Sequence, residues 1–192
     1  FSIPESTLKI IDACQEVGLP LVIGTTGFSP KETKRIEKFA AKYGVVLSPN
    51  MSIGVNLTFK LLEVASSLFQ KNYDVEILES HHRNKIDSPS GTALEMAKII
   101  SSTSSQYTED GYRFSRFGSV GPRKKNEIGF SVVRGGDIVG EHTVIFAGVG
   151  EVIEVKHRST SRNSYATGAL IASKFLHNNP PALYNMQDVV GF

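Results

Sequence analysis

Apolar residues recur along this 192-residue chain in two rhythms, and the rhythm changes once, after about residue 100. The first stretch alternates helical spacing with short apolar runs. Leu8, Ile11, Cys14 and Val17 fall on one helical face, Pro4 suits a first helical turn, and Gly18 ends the helix. Leu21-Val22-Ile23 reads as a short buried strand running into Gly24-Thr25-Thr26-Gly27. Ser29-Pro30-Lys31-Glu32 is a capping box that opens a second helix. Ile36, Phe39, Ala40 and Tyr43 continue that helix, Gly44 stops it, and Val45-Val46-Leu47 is the next strand. Strands separated by helices of this length imply a parallel sheet. A long helix is expected from Ile53 to Phe69, with Leu57, Leu61, Val64, Ala65 and Leu68 apolar. Val75, Ile77 and Glu79 then alternate with Glu76, Leu78 and Ser80 in a strand.

After one more helix, carrying Ala93, Leu94, Ala97 and Ile100, strand and turn signals take over. Strands are expected at Ile128 to Val133, Ile138 to Phe146 and Val152 to His157. The turns at Arg134-Gly135-Gly136-Asp137 and Gly148-Val149-Gly150 make them antiparallel hairpins. A last helix is expected from Arg162 to Phe175. Ser101 to Asn126 is polar and basic and reads as a surface loop with solvated charges.

Composition narrows the class. Hydrophobic residues make up 40% and charged residues 21%, ordinary for a globular protein with a sizeable core. A net charge of +2 argues against nucleic acid or an anionic membrane as partner. Cys14 is the single cysteine, which excludes internal disulfides and thiolate metal clusters and fits a reducing cytoplasm. No apolar run reaches the roughly 20 residues of a membrane span, and no signal peptide pattern opens the chain. Phe1-Ser2-Ile3-Pro4 lacks an initiator Met and reads like a segment entered midway.

The candidate chemistry concentrates between Glu79 and Ala93. His81 and His82 titrate in the range useful for proton transfer, and Lys85 supplies a cation. Side chains of adjacent residues leaving a strand diverge, so the two histidines need not share a task. Ser88-Pro89-Ser90-Gly91-Thr92 opens a helix whose free N–H groups favour an anion such as a carboxylate. A plain N-cap by Ser90 is compatible with that role. Gly24-Thr25-Thr26 and Ser48-Pro49-Asn50-Met51 both follow strands, at the edge where open α/β sheets bind ligands, although no G-x-G-x-x-G turn occurs. Glu79, His81, His82, Asp87, His142 and His157 lack metal-ligand spacing, so no metal is expected. His142 and His157 are assigned to strand surfaces and His177 to a helix end.

Glu79-Ser-His-His-Arg-Asn-Lys-Ile-Asp-Ser-Pro-Ser-Gly-Thr-Ala93 closely resembles the signature of the 4-hydroxy-tetrahydrodipicolinate reductase (dihydrodipicolinate reductase) family. Val22 to Phe28 resembles that family's nicotinamide-side loop, and Asn50 to Asn56 its domain-crossing segment. Arg134 to His142 and Ser161-Arg162 also match. The resemblance implies a cytoplasmic homotetramer that passes hydride from NADH or NADPH to a cyclic dicarboxylate in lysine biosynthesis. It implies a partial Rossmann-like dinucleotide-binding domain, residues 1–52 and 163–192. The second domain, residues 53–162, is an α+β substrate and oligomerisation domain with a mixed, largely antiparallel sheet. Carried over by position, His81 is the acid/base residue and Lys85 the proton donor. His82 contacts substrate, and Gly91 with Thr92 binds a substrate carboxylate. Gly24, Thr25, Thr26, Ser48, Pro49, Asn50, Met51, Arg162 and Tyr165 contact the dinucleotide. The family's opening strand, glycine-rich turn and helix are not in this sequence, and Phe1-Ser2 matches a point inside the first domain. The chain is therefore expected to be part of a longer protein. Competing readings are a dehydrogenase for another amino-acid-like substrate, a non-catalytic oligomerisation module and a metal hydrolase.

Overall fold

The computed structural model describes residues 1, 3–69 and 72–192; Ser2, part of the opening match to the family's first domain, lies outside the described residues. The chain divides into two compact units, Phe1–Asn56 with Asn163–Phe192, and Leu57–Arg162.

In the first unit, α1 (Pro4–Val17) ends at Gly18, whose φ of +72° is open to glycine at little cost. Ile11 of this helix is buried, while Val17 is exposed. The strand β1 (Leu21–Ile23) follows, then α2 (Pro30–Tyr43) and β2 (Val45–Leu47). Both halves of the expected capping box form: the Ser29 side chain accepts the Glu32 N–H, and the Ser29 N–H donates to the Glu32 carboxylate at 2.7 Å. A third strand, β8 (Leu183–Tyr184), pairs in parallel with β2, giving the order β1-β2-β8. One core gathers Ile11, Ile23, Ile36, Phe39, Ala40 and Val45. The other gathers Val46 and Met51 with Ala172, Leu176 and Met186, supplied by α5 (Asn163–Asn178) and α6 (Met186–Val190). Helices thus cover both faces of a parallel sheet, as apolar strands require. The two-residue β8 is too short to leave a periodic signal in the sequence.

Helix α3 (Ile53–Leu68) begins in the first unit and ends in the second. Its buried positions are Val55, Asn56, Thr58, Phe59, Leu62 and Ser66, whereas Leu57, Leu61, Val64 and Leu68 face outward. The second unit continues with β3 (Asp74–His81), α4 (Gly91–Thr103), β4 (Tyr112–Arg113), β5 (Ile128–Arg134), β6 (Gly140–Ala147) and β7 (Val152–Ser159). The sheet order is β4-β5-β3-β6-β7. This corrects one expectation. β5 and β6 do not form a hairpin, because β3 lies between them, parallel to β5 and antiparallel to β6. Among the described residues, only β6 and β7 make an antiparallel hairpin. The sheet is mixed for a physical reason. β3 alternates Val75, Ile77, Glu79 and His81 inward, all buried, so it takes the central place. The linker between β5 and β6 steps over its end, a span of roughly 10 Å between strand axes. Gly135 donates its N–H to the His81 carbonyl at 3.0 Å, and Arg83 donates to the Gly136 carbonyl at 3.2 Å.

The basic segment before β5 also departs from expectation. Three of its arginines are paired, not simply solvated. Arg116 forks onto both oxygens of Glu76 at 2.9 Å each, Arg113 meets Glu127 at 3.0 Å, and Arg123 contacts Asp74. Glu76 lies where a Gly129 Cβ would stand, 1.9 Å from such an atom. Among the described residues, no helix is long and apolar enough to cross a membrane.

Candidate active site

The period of β3 sends Glu79 and His81 to the same inward face, two residues apart. The Glu79 side chain has no exposed surface, so its charge must be met by protein donors. Four arrive. Oε2 lies 2.6 Å from His81 Nδ1 and accepts Arg134 Nη1 at 2.7 Å. Oε1 accepts Arg134 Nη2 at 2.8 Å and the Ser90 N–H at 3.0 Å. The parallel register His81↔Arg134 delivers the guanidinium. Burial pushes the Glu79 pKa up, but the bonds from Arg134, His81 and Ser90 outweigh it and hold it below its ordinary value.

For His81, burial is the largest influence and lowers its pKa. Glu79 raises it, Lys85 and Arg134 lower it, and the net result is a lowered value. The ring is therefore neutral at cellular pH. Its Nε2 edge faces Gly140, where a Cβ would stand 3.0 Å from Nε2. His142 packs edge-on against the ring at 5.0 Å between centroids. The expectation that His142 sits on a strand surface fails. It is buried, because β6 turns it to the same inward face, opposite Glu79 and His157. Desolvation drives its pKa to about 3.

Beyond the strand, Lys85 donates to Asp87 at 2.8 Å and is largely covered. That bond holds Asp87 below the usual carboxylate range. His82 is half-buried and its carbonyl accepts the Lys85 N–H at 3.1 Å. Ser90 caps α4: its oxygen accepts the Ala93 N–H at 3.2 Å, which leaves its proton for His142 Nε2 at 2.9 Å. Gly91 and Thr92 form the first turn, and the space a Gly91 Cβ would take has no atom within 4 Å. His81 and the cap of α4 are thus joined through Glu79, with Lys85 on the loop between them. Glu79, Arg134, Gly140 and the buried His142 also surround this site, and the sequence reading gives them no role in it. The signal for Glu79 was the two-residue spacing to His81; Arg134 shows only through the register of β5.

In the first unit, Gly24 to Gly27 leave the carboxyl end of β1 and Ser48 to Met51 that of β2, on neighbouring strands. Thr25 is buried and accepts the Thr7 hydroxyl at 2.8 Å, so Thr26 presents the exposed hydroxyl. The Ser48 hydroxyl donates to the Asn50 carbonyl at 3.0 Å, and Asn56 Nδ2 donates to the same carbonyl at 2.9 Å. Pro49 is exposed, and the Met51 side chain is in the core. Gly168 of α5 lies against the Met51 carbonyl, where a Cβ would stand 1.8 Å away. Tyr165 is one turn upstream and half-buried; Arg162 is exposed just before the helix. Two adjacent loops at the carboxyl edge of a parallel sheet, with open space beside Gly27, fit the nicotinamide side of a dinucleotide. The pyrophosphate has no glycine-rich counterpart in this sequence.

The profile of the dihydrodipicolinate reductase N-terminus matches residues 1–51, and that of the C-terminus residues 54–190. The 4-hydroxy-tetrahydrodipicolinate reductase of Nitrosomonas europaea is 49% identical over 191 residues, covering 100% of this chain and 71% of its own length. That of Polynucleobacter necessarius is 47% identical, with 100% and 72% covered. Among solved structures, the dipicolinate-bound dihydrodipicolinate reductase from Paenisporosarcina sp. TG-14 has the same fold. It matches with a TM-score of 0.77 at 24% identity, over 98% of this chain and 71% of that one. Both profiles and these identities place the chain in the dihydrodipicolinate reductase family, NAD(P)H-dependent oxidoreductases of lysine and diaminopimelate biosynthesis.

Proposed function

We propose that this chain reduces 4-hydroxy-tetrahydrodipicolinate to tetrahydrodipicolinate through the loop between β3 and α4. His81 acts as the acid/base residue, Lys85 as proton donor, His82 as a substrate contact, and Gly91 with Thr92 as the carboxylate site. The nicotinamide cofactor supplies the hydride. Loss of the 4-hydroxyl as water gives a conjugated imine, and hydride addition to it leaves negative charge on the ring, which a positioned ammonium both stabilises and protonates. Lys85, shielded and held by Asp87, fits the donor role. A neutral His81 fits the accepting role, taking a proton through Nε2 and returning it. The amides at the start of α4 suit a carboxylate, and Gly91 leaves room for one. The observation that carries this reading is the fully satisfied Glu79 carboxylate behind His81, since a ring held this firmly is ready for proton transfer.

Gly24, Thr25, Thr26, Ser48, Pro49, Asn50, Met51, Arg162 and Tyr165 are the residues we assign to NADH or NADPH. On this reading residues 1–52 and 163–192 belong to the dinucleotide domain and residues 53–162 to the substrate and oligomerisation domain. A cytoplasmic homotetramer, assembled through the helix-free face of the five-stranded sheet, completes the proposal. Exposed Leu78, Val133 and Val152 on that face support it.

The test is oxidation of the reduced cofactor dependent on the dihydrodipicolinate precursor. His81→Gln and Lys85→Ala should each lower kcat by about 10²-fold with circular dichroism unchanged. Undiminished turnover in both variants would remove the assigned roles.

A further inference from the structure

We infer that Glu79 and Arg134 are positioning residues that fix the tautomer of His81: the carboxylate engages Nδ1–H, which leaves the lone pair on Nε2, and the guanidinium anchors that carboxylate and offsets its charge. This rests on the reading of His81 as the acid/base residue.

Hydrogen-bond arithmetic carries the argument. An ionised carboxylate only accepts, so every atom bonded to it must donate. Glu79 stays ionised because Arg134 grips both oxygens, at 2.7 and 2.8 Å. His81 Nδ1, 2.6 Å from Oε2, must then carry a proton. A neutral ring has one N–H, so Nε2 is the bare nitrogen. Gly140 completes the arrangement, since its missing Cβ would crowd Nε2 at 3.0 Å and Cδ2 at 3.3 Å.

The charge balance follows from what faces the ring. Its own strand contributes Glu79, the following loop Lys85 with Asp87, β5 contributes Arg134, and β6 contributes His142 with His157 beyond it on β7. His142 is neutral, with Nε2 engaged by Ser90, so it adds no charge and does not compete for Glu79. Glu79 without Arg134 would favour an imidazolium. Arg134 and Lys85, with burial, keep the ring in its basic form. The pair therefore separates two tasks, orienting the ring and setting its charge.

The two partners should act in opposite directions, which a merely structural pair would not do. Two-bond nitrogen–proton NMR on histidine-labelled protein reads both tautomer and titration. The unaltered protein should show His81 with Nδ1–H. Arg134→Met should raise the proton affinity of His81 about tenfold, and Glu79→Gln should lower it and mix the tautomers. The acid limb of the kcat profile should move the same way in each. Should Arg134→Met fail to fold, Arg134→Lys should raise the affinity by a smaller factor. An Nε2–H ring in the unaltered protein, or shifts of the same sign from Glu79→Gln and either Arg134 variant, would overturn the inference. If the NMR shifts appear and the acid limb stays fixed, the tautomer device stands and the assignment of His81 as acid/base falls.

Discussion

Glu79 illustrates how much one buried carboxylate depends on its donors. Removing Arg134 would take away its bidentate ionic partner and leave only His81 and the Ser90 N–H to meet the buried charge, at a cost of up to about 3–5 kcal/mol. His142 sets a second dependence, on pH. Its pKa is about 3 in the folded chain against 6.5 for the free side chain. Above pH 6.5 it is neutral in both states and costs nothing. Below that, the unfolded chain takes up the proton first, so stability falls with pH at about 1.4 kcal/mol per unit, or roughly 2–3 kcal/mol by pH 4.5. His81 and His157, both lowered, act in the same direction. Urea midpoints measured between pH 7 and 4.5 should show this decline, and His142→Asn should flatten it. An equally steep decline in that variant would count against the assignment. The histidines and lysine were legible in the sequence as a candidate cluster, by residue type and spacing. Their environment was not. Arg134 lies 55 residues from Glu79, and only strand register joins them.

Elements show the same division. Helices α1 and α2 were plain from period and caps, since Gly18 and the Ser29 box act locally. Strand neighbours were not, because alternation marks a strand without saying which strand lies beside it. The hairpin expected between β5 and β6 failed for this reason, and the true arrangement seats Arg134 beside His81. The same linker brings in Gly140, whose bare backbone admits the imidazole. Gly140→Ala should leave the fold intact, since its backbone is not in the left-handed region, yet displace the ring. We expect kcat to drop by about tenfold or more with a small change in KM. Wild-type kcat in a crystal structure with an unmoved ring would refute the crowding argument. Helix α3 adds a caution. Its period was right, yet several of its leucines point outward, because the inward face is set by Val55, Phe59 and Leu62.

At the scale of the whole molecule, the chain spans 71–72% of the length of the relatives compared. The C-terminal profile runs to residue 190, although the last part of that span folds with the first unit. A linear match therefore understates how the chain doubles back. The open face of the second sheet gives a prediction of its own. Leu78, Val133 and Val152 are 40%, 54% and 59% exposed on that face, apolar side chains that a partner subunit could cover. If the proposed homotetramer assembles through this face, Val133→Glu should lower the mass seen by light scattering towards smaller species while secondary structure persists. An unchanged mass would count against assembly through this face.

The four-donor carboxylate has one more effect. Glu79 is bonded from β5 by Arg134 and from the α4 cap by Ser90, while sitting on β3 itself. Three separate elements are riveted at one atom group, so none can shift without straining the others. A ligand arriving at the start of α4 meets a stiff anvil rather than a yielding hinge, and little ordering of this corner is left for the moment of capture.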